Sequence, residues 1–116
     1  MADNQVIQFE VLGKDGPTLQ RFYQDLFGWE FDTNNPGGYG MTSHDRTGVT
    51  VGVGSTRDGS AGSVTGYVTV PDIDAALGRA VELGGRVLMP KFSPGPGATI
   101  GLFADPDGNT IGLTEV

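Results

Sequence analysis

The sequence contains no cysteine and a single histidine. Without thiols, the chain can form neither a disulfide framework nor a thiolate metal site. No apolar run approaches the roughly 20 residues that cross a bilayer, and the polar residues 1–5 lack the apolar stretch of a signal peptide. These absences predict a soluble, cytoplasmic protein with no membrane partner.

Basic residues are also scarce, with 7 Lys and Arg against 14 Asp and Glu and a formal net charge of −7. Phosphate contacts need clustered basic side chains, so no nucleic-acid partner is expected. The same balance either favours cationic ligands through long-range attraction or simply keeps a small protein soluble. A chain of 116 residues is long enough to fold as one domain.

Two segments have the apolar period of a helix. Residues 17–27 begin with Pro17 and are followed by Gly28, while residues 73–83 follow a candidate N-cap, Asp72, and precede Gly84. Each segment has one apolar face, which we expect to pack against a sheet.

An alternating strand precedes each helix, at residues 6–11 and 64–70. In the first strand, Ile7, Phe9 and Val11 share the face expected to meet the helix, and Gln8 and Glu10 share the opposite face. Three more strand candidates follow each helix: residues 29–33, 39–43 and 49–53, then 86–92, 99–104 and 110–114. The order β-α-β-β-β therefore occurs twice and predicts an α+β fold. Module one covers about residues 5–53, a Gly- and Ser-rich connector residues 54–63, and module two about residues 64–116.

Three motifs carry a family resemblance: RFYQDLFGW at residues 21–29, VPDIDAAL at residues 70–77 and FADPDGN at residues 103–109. Their order resembles that of the vicinal-oxygen-chelate superfamily, the glyoxalase and bleomycin-resistance type. The resemblance covers nearly the whole chain. It implies two βαβββ modules that form an eight-stranded half-barrel, with one helix packed per module and a concave face that holds the ligand or active site.

Enzymes of that superfamily typically hold a divalent metal with His, Glu or Gln from the first and last strands of the modules. Gln8 and Thr65 match the first-strand positions, while residues 49–53 contain no His, Glu or Asp. Gly112 stands where "DPDGNxxE" would have its carboxylate, and Glu115 has the opposite strand parity. One amide cannot hold such an ion, which needs three or four donors, so we expect neither a metal nor another cofactor.

The expected concave face carries polar and aromatic side chains. Gln8, Thr65 and Tyr67 are the candidates for orienting a ligand by hydrogen bonds, and Tyr39, Met41, Phe92 and Phe103 are the candidates for apolar walls. Any of these aromatic residues could instead complete a core or an interface.

Two residues could act as a general base. His44 lies beside Asp45, which could orient its imidazole, but an exposed turn residue would look the same. Glu10 would serve if burial raised its pKa, although it could equally be a solvated strand carboxylate.

The leading hypothesis is a metal-free protein that holds or sequesters a small aromatic or polycyclic molecule, like the antibiotic-sequestering members of the superfamily. The alternatives are an enzyme of the same fold, either a metal-independent isomerase or lyase or a glyoxalase-like metalloenzyme, and a non-catalytic interaction domain. The resemblance also implies a homodimer. Whether the modules pair within one chain or exchange between two is left open.

Overall fold

The computed structural model describes residues 4–116, which contain seven strands and three helices. The chain divides into two compact units, residues 8–64 and residues 4–7 with 65–116. In chain order the elements are β1 (Val6–Gly13), α1 (Gly16–Phe27), β2 (Gly40–Met41), α2 (His44–Thr47), β3 (Thr50–Ser55), β4 (Ser63–Val70), α3 (Ile73–Glu82), β5 (Arg86–Gly95), β6 (Ala98–Ala104) and β7 (Thr110–Glu115). Within residues 4–116, none of the helices combines the length and apolar character needed to span a membrane.

The unit of residues 8–64 has the strand order β2-β3-β1, with β3 parallel to β1 and antiparallel to β2. Its core consists of Val11, Val51 and Val53, against which Leu19 and Tyr23 of α1 pack. Val51 and Val53 alternate with Gly52 and Gly54 along β3, so one sheet face is given to the helix.

Helix α1 has the ends that its sequence predicts. The Asp15 carboxylate accepts a hydrogen bond from Thr18 N at 3.0 Å, which lowers the pKa of Asp15. Gly28 ends the helix with φ 75°, a conformation that favours glycine, and its N–H donates to Gln24 O at 2.8 Å. The predicted helix over residues 17–27 is therefore confirmed.

An aromatic cluster forms where α1 ends. The ring centroid of Trp29 lies 5.8 Å from that of Tyr23 and 4.8 Å from that of Phe27. The predicted strand over residues 29–33 does not form, because Trp29 and Phe31 pack onto the core beneath α1. Only Asp32 makes an isolated bridge, to Met41.

The second unit has the strand order β4-β7-β6-β5, with β4 parallel to β7 and β6 antiparallel to both neighbours. Helix α3 packs on this sheet through Ile73 and Leu77, which form a core with Val70 and Leu113. The edge strand β5 contains Pro90 and Pro94 and changes register three times against β6. Proline is tolerated at such an edge because the N–H groups of alternate residues point away from the neighbouring strand and have no ladder partner.

The α+β class is confirmed. The predicted order β-α-β-β-β forms in module two, whereas module one has two strands after α1, so residues 4–116 contain seven strands in place of the predicted eight. Strand β3 continues to Ser55 and β4 begins at Ser63, so both enter the predicted connector over residues 54–63. The remaining segment closes as a turn, in which Ser60 N donates to Asp58 Oδ1 at 3.0 Å.

Two predicted apolar faces are less buried than expected. Val11 is buried, but Ile7 and Phe9 on the same face of β1 are each 41% exposed. On α1, Phe22, Leu26 and Phe27 are also exposed. Of the residues of β1, only Val11, the register partner of Val53, belongs to the core of this unit.

The N-terminus of α3 is tied to strand β7 by a carboxylate. Glu115 Oε2 accepts a hydrogen bond from Ile73 N at 2.9 Å and lies 3.1 Å from Lys91 Nζ. The hydrogen bond from Ile73 and the ammonium of Lys91 lower the pKa of Glu115. Together with Asp72, which accepts from Ala75 N at 3.0 Å, Glu115 stabilises the positive end of the helix.

Replacing Glu115→Gln should lower stability at neutral pH and change its pH dependence. Because the folded-state pKa of Glu115 lies below its unfolded value, its contribution is present above the unfolded pKa and is lost as pH falls through the folded pKa. The urea midpoint of the variant should therefore fall below that of the wild type at pH 7 and approach it near pH 3. Glu82→Gln, which removes an exposed pair with Arg79 at 3.2 Å, is the control and should change little. An equal difference between Glu115→Gln and wild type at both pH values would contradict this role.

Candidate functional site

Three side chains of module one form a hydrogen-bonded group that we call the Tyr39 cluster: Gln8, Glu10 and Tyr39. Gln8 and Glu10 alternate along β1 and so share one face. The Tyr39 hydroxyl accepts a hydrogen bond from Gln8 Nε2 at 2.9 Å and donates one to Glu10 Oε2 at 2.9 Å. All three residues are half-buried. One phenol therefore links both polar side chains of β1.

The ring of Tyr39 lies over two glycines of β3. A Cβ atom at Gly52 would collide with the Tyr39 hydroxyl, and a Cβ at Gly54 would come within 2.7 Å of Tyr39 Cδ1. Gly52 is the register partner of Glu10 on β1, so the glycine, the carboxylate and the phenol meet on one face. The two glycines, spaced by two residues on a strand, provide the space that the ring fills.

The loop that carries Tyr39 is held on both sides. Asn35 Nδ2 donates to Tyr39 O at 2.7 Å, and Tyr39 N donates to Asn35 Oδ1 at 3.0 Å. The buried Gln20 donates from Nε2 to Gly38 O at 2.9 Å and to Val53 O at 2.8 Å. Gln20 therefore connects the loop, at Gly38, to β3, the strand on which the Tyr39 ring lies. The position of the phenol is thus set by four hydrogen bonds outside the cluster.

Module two repeats the arrangement of a tyrosine over a glycine. Tyr67 on β4 is the register partner of Gly112 on β7, and a Cβ at Gly112 would lie 2.5 Å from Tyr67 Cδ2. Tyr67 is only 6% exposed, and Thr65, on the same face of β4, is 5% exposed. This face was expected to be the concave face that meets a ligand. In module two it is as buried as the face beneath α3.

The remaining candidates are Met41, Phe92 and His44. Met41 is exposed on β2, opposite Gly52, and Phe92 is half-buried on β5. His44 begins the one-turn helix α2, and its Nε2 lies 3.3 Å from Asp45 Oδ1, with both side chains about three-quarters exposed at 75% and 77%.

Phe103, which was predicted as a wall of the ligand site, packs against the core formed by α3 and β7. The reason is strand parity, because Phe103 shares a face of β6 with Gly101, and a Cβ at Gly101 would meet Ile73 at 2.9 Å.

The donors of the Tyr39 cluster do not fit a divalent-ion site. Gln8 and Glu10 are joined through the Tyr39 hydroxyl, and glycine occupies the β3 and β7 positions that face the tyrosines. Across residues 4–116 no three His, Cys, Asp or Glu side chains converge as a metal would require. In the same residues every buried side-chain nitrogen and oxygen has a hydrogen-bond partner, so no orphaned atom points to a missing ion.

Sequence reasoning missed three of the features that form this site. Gly52 was expected in the strand over residues 49–53 and Gly54 in the connector, whereas both belong to strand β3. Their alternation with the buried Val51 and Val53 was the available signal, because glycines on one strand face indicate close approach by another group. The roles of Asn35 and Gln20 had no signal in the sequence, since each depends on contacts made by the folded chain.

Both units pack a helix on one face of a β-sheet, and the motifs of the sequence resemble those of the vicinal-oxygen-chelate class. The glyoxalase-like domain model matches residues 9–114. The chain belongs to the glyoxalase-like domain family.

Individual proteins agree with this assignment. The curated protein named "Putative glyoxylase CFP32" from Mycobacterium tuberculosis is 34% identical over 118 residues, which cover 87% of this chain and 41% of that protein. The chain thus spans about two fifths of the length of that relative.

Two solved structures share the fold. Methylmalonyl-CoA epimerase from Mycobacterium tuberculosis matches with a TM-score of 0.67 and 16% identity, over 99% of this chain and 91% of that one. A glyoxalase/bleomycin resistance protein/dioxygenase superfamily member from Vibrio splendidus 12B01 matches with a TM-score of 0.64 and 23% identity, over 97% and 99%.

The substitution Gly52→Ala should displace Tyr39 from its cluster. The added methyl group has to occupy the position of the Tyr39 hydroxyl, so the bonds to Gln8 and Glu10 should break at a cost of about 1–3 kcal/mol in unfolding free energy. Urea denaturation measures this cost, and the NMR signal of Tyr39 Cζ should shift.

The matched control is Gly78→Ala in the middle of α3, where a Cβ would meet nothing within 4 Å. Alanine there should raise stability by about 0.5–1 kcal/mol, because glycine is a poor helix residue. A Gly52→Ala protein with wild-type stability and an unchanged Tyr39 signal would contradict the described packing.

Proposed function

We propose that this protein binds a small aromatic molecule at the Tyr39 cluster, without a metal ion, and acts by holding it. The observation that carries the proposal is the Tyr39 hydroxyl shared between Gln8 and Glu10, at 2.9 Å from each. A ring that is fixed in position, with polar groups at its tip, can orient a flat ligand at little cost in conformational entropy.

Apolar surface beside the cluster supports this proposal. Met41 and Gly52 are direct cross-strand partners of an antiparallel pair, so the Met41 side chain lies on the sheet face that carries the Tyr39 ring. Met41 is 41% exposed, and an unbranched thioether adapts to ligands of different shape. Ring and thioether together offer the mixture of apolar area and few polar groups that is typical of small-molecule sites.

A second candidate function is proton transfer by Glu10. Its carboxylate lies in hydrogen-bond reach of a phenol, an arrangement that general acid–base catalysis uses. The names of the glyoxylase relative and of the epimerase neighbour denote enzymes, which is the further reason to keep this alternative.

Removal of the Tyr39 hydroxyl tests the binding function. Tyr39→Phe keeps the ring over Gly52 and Gly54 but loses both hydrogen bonds, so affinity for aromatic ligands should fall about 5- to 30-fold. Ligands are found by thermal shift across a panel of aromatic natural products, since binding to the folded state alone raises the midpoint. Calorimetry then gives the dissociation constants.

Tyr23→Phe is the control, because it removes a tyrosine hydroxyl of α1 outside the cluster. Equal loss of affinity in both variants, or unchanged midpoints across the whole panel, would reject binding at the Tyr39 cluster.

The enzymatic alternative makes a different prediction for Glu10→Gln. If Glu10 is a base, wild-type protein should convert a bound ligand to product, and the variant should bind the same ligand without converting it. NMR of the incubated ligand distinguishes these results. A ligand recovered unchanged from wild-type protein would favour holding over catalysis.

A further inference from the structure

We propose that the second unit, residues 4–7 and 65–116, has a ligand site of its own for small, neutral, hydrocarbon-like molecules. The site is a cavity of about 390 Å³ between helix α3 and the strands on which it packs, and we call it the α3 cavity. Its volume lies within the range of small-molecule sites, about 300–1,000 Å³. Every lining residue belongs to the second unit, so the proposal does not depend on the Tyr39 cluster.

The cavity arises where the side of α3 that faces the sheet changes from large to small side chains. Ile73 and Leu77 of this side are 0% and 5% exposed and form the core with the sheet. Ala76 and Ala80, which follow on the same side at helical spacing, line the cavity instead. An alanine side chain ends at Cβ, so the two methyl groups leave room above strands that the larger residues contact directly.

The wall opposite the alanines is apolar. Three strands turn branched or aromatic side chains toward the cavity, namely Val68 and Val70 of β4, Phe103 of β6, and Ile111 and Leu113 of β7. Residues two apart share a strand face, so β4 and β7 each contribute a pair. Water would find few hydrogen-bond partners between such walls, and an apolar molecule that takes its place is stabilised by the hydrophobic effect.

The two charged residues of the described lining have opposite signs, and each is paired with a group outside the lining. Arg79 Nη1 lies 3.2 Å from Glu82 Oε1. Asp105 Oδ2 accepts a hydrogen bond from Asn109 Nδ2 at 2.9 Å. Neither an anion nor a cation would therefore meet an excess of opposite charge in the cavity, and charge complementarity favours a neutral ligand.

The third polar side chain of the described lining, that of Asn4, also bonds to a group outside it. Asn4 Nδ2 donates to Thr69 O at 3.1 Å. A ligand that carries a charge into the cavity would lose hydration without gaining a matching partner, which costs free energy. The α3 cavity therefore selects against ions through desolvation.

Three probes with the same six-membered carbon ring test the proposal: methylcyclohexane, cyclohexanecarboxylate and cyclohexylmethylamine. At pH 7 they are neutral, an anion and a cation. We expect methylcyclohexane to bind about tenfold or more tightly than either ion. NMR titration gives the affinities, and shifts of the methyl signals of Ala76 and Ala80 locate the binding.

Two alanine-to-leucine substitutions in α3 are the matched variants. Ala80→Leu extends a branched side chain into the cavity and should weaken the binding of methylcyclohexane about tenfold or more. Ala75 is exposed on the same helix and lies outside the lining, so Ala75→Leu should keep the wild-type affinity within about twofold. If Ala80→Leu does not fold, the smaller Ala80→Val is measured in its place.

The outcomes separate this site from the function proposed for the Tyr39 cluster. Tyr39→Phe should bind methylcyclohexane as the wild-type protein does. Similar affinity for all three probes, tighter binding of an ion, or an equal effect of the substitutions at residues 75 and 80 would overturn the proposal. Absence of methylcyclohexane binding would overturn it too, whatever the aromatic panel shows for the Tyr39 cluster.

Discussion

The single hydroxyl proton of Tyr39 is the constraint on which the rest of the site depends. For the phenol to donate to Glu10 and accept from Gln8, its oxygen has to lie within about 3 Å of both, and hydrogen bonds weaken steeply with distance and angle. The ring can reach that point only because β3 has no side chain at residues 52 and 54. The hydrogen bonds from Asn35 and Gln20 then fix the position of the loop that carries Tyr39.

The two modules both pack a tyrosine ring on a strand glycine, but in different surroundings. In each of them a tyrosine lies on a glycine of the last strand, Tyr39 on Gly52 and Tyr67 on Gly112. Tyr67 is 6% exposed and lies among buried threonines of β4, whereas Tyr39 is half-buried and bonded to a carboxylate. The same kind of ring-on-glycine contact is therefore buried in module two and half-buried in module one.

Much of the fold could be predicted from the sequence because its signals are local. Asp15, Gly28 and Asp72 mark helix ends through bonds to residues at most four positions away. The strand over residues 29–33 was wrong because Trp29 packs onto aromatic side chains of α1, a tertiary contact that overrides strand propensity.

The site was predicted in part. The alternation of Gln8 and Glu10 on β1 is visible in the sequence, but the approach of Tyr39 depends on a loop that returns from 29 residues further along the chain. The packing of Phe103 could not be predicted from the sequence, because the face of β6 is set by its pairing with β7. The expected homodimer and the cytoplasmic location stay predictions.

The packing of each tyrosine on its glycine also limits how this scaffold can be redesigned. A carboxylate or any other side chain at residue 52 needs the volume that the Tyr39 ring now fills, and the same holds for residue 112 and Tyr67. Ring and glycine can therefore be exchanged only as a pair. An engineer who wants an ion-binding pocket in this sheet has to shorten residue 39 and extend residue 52 in one step, because either change alone leaves a collision or a void.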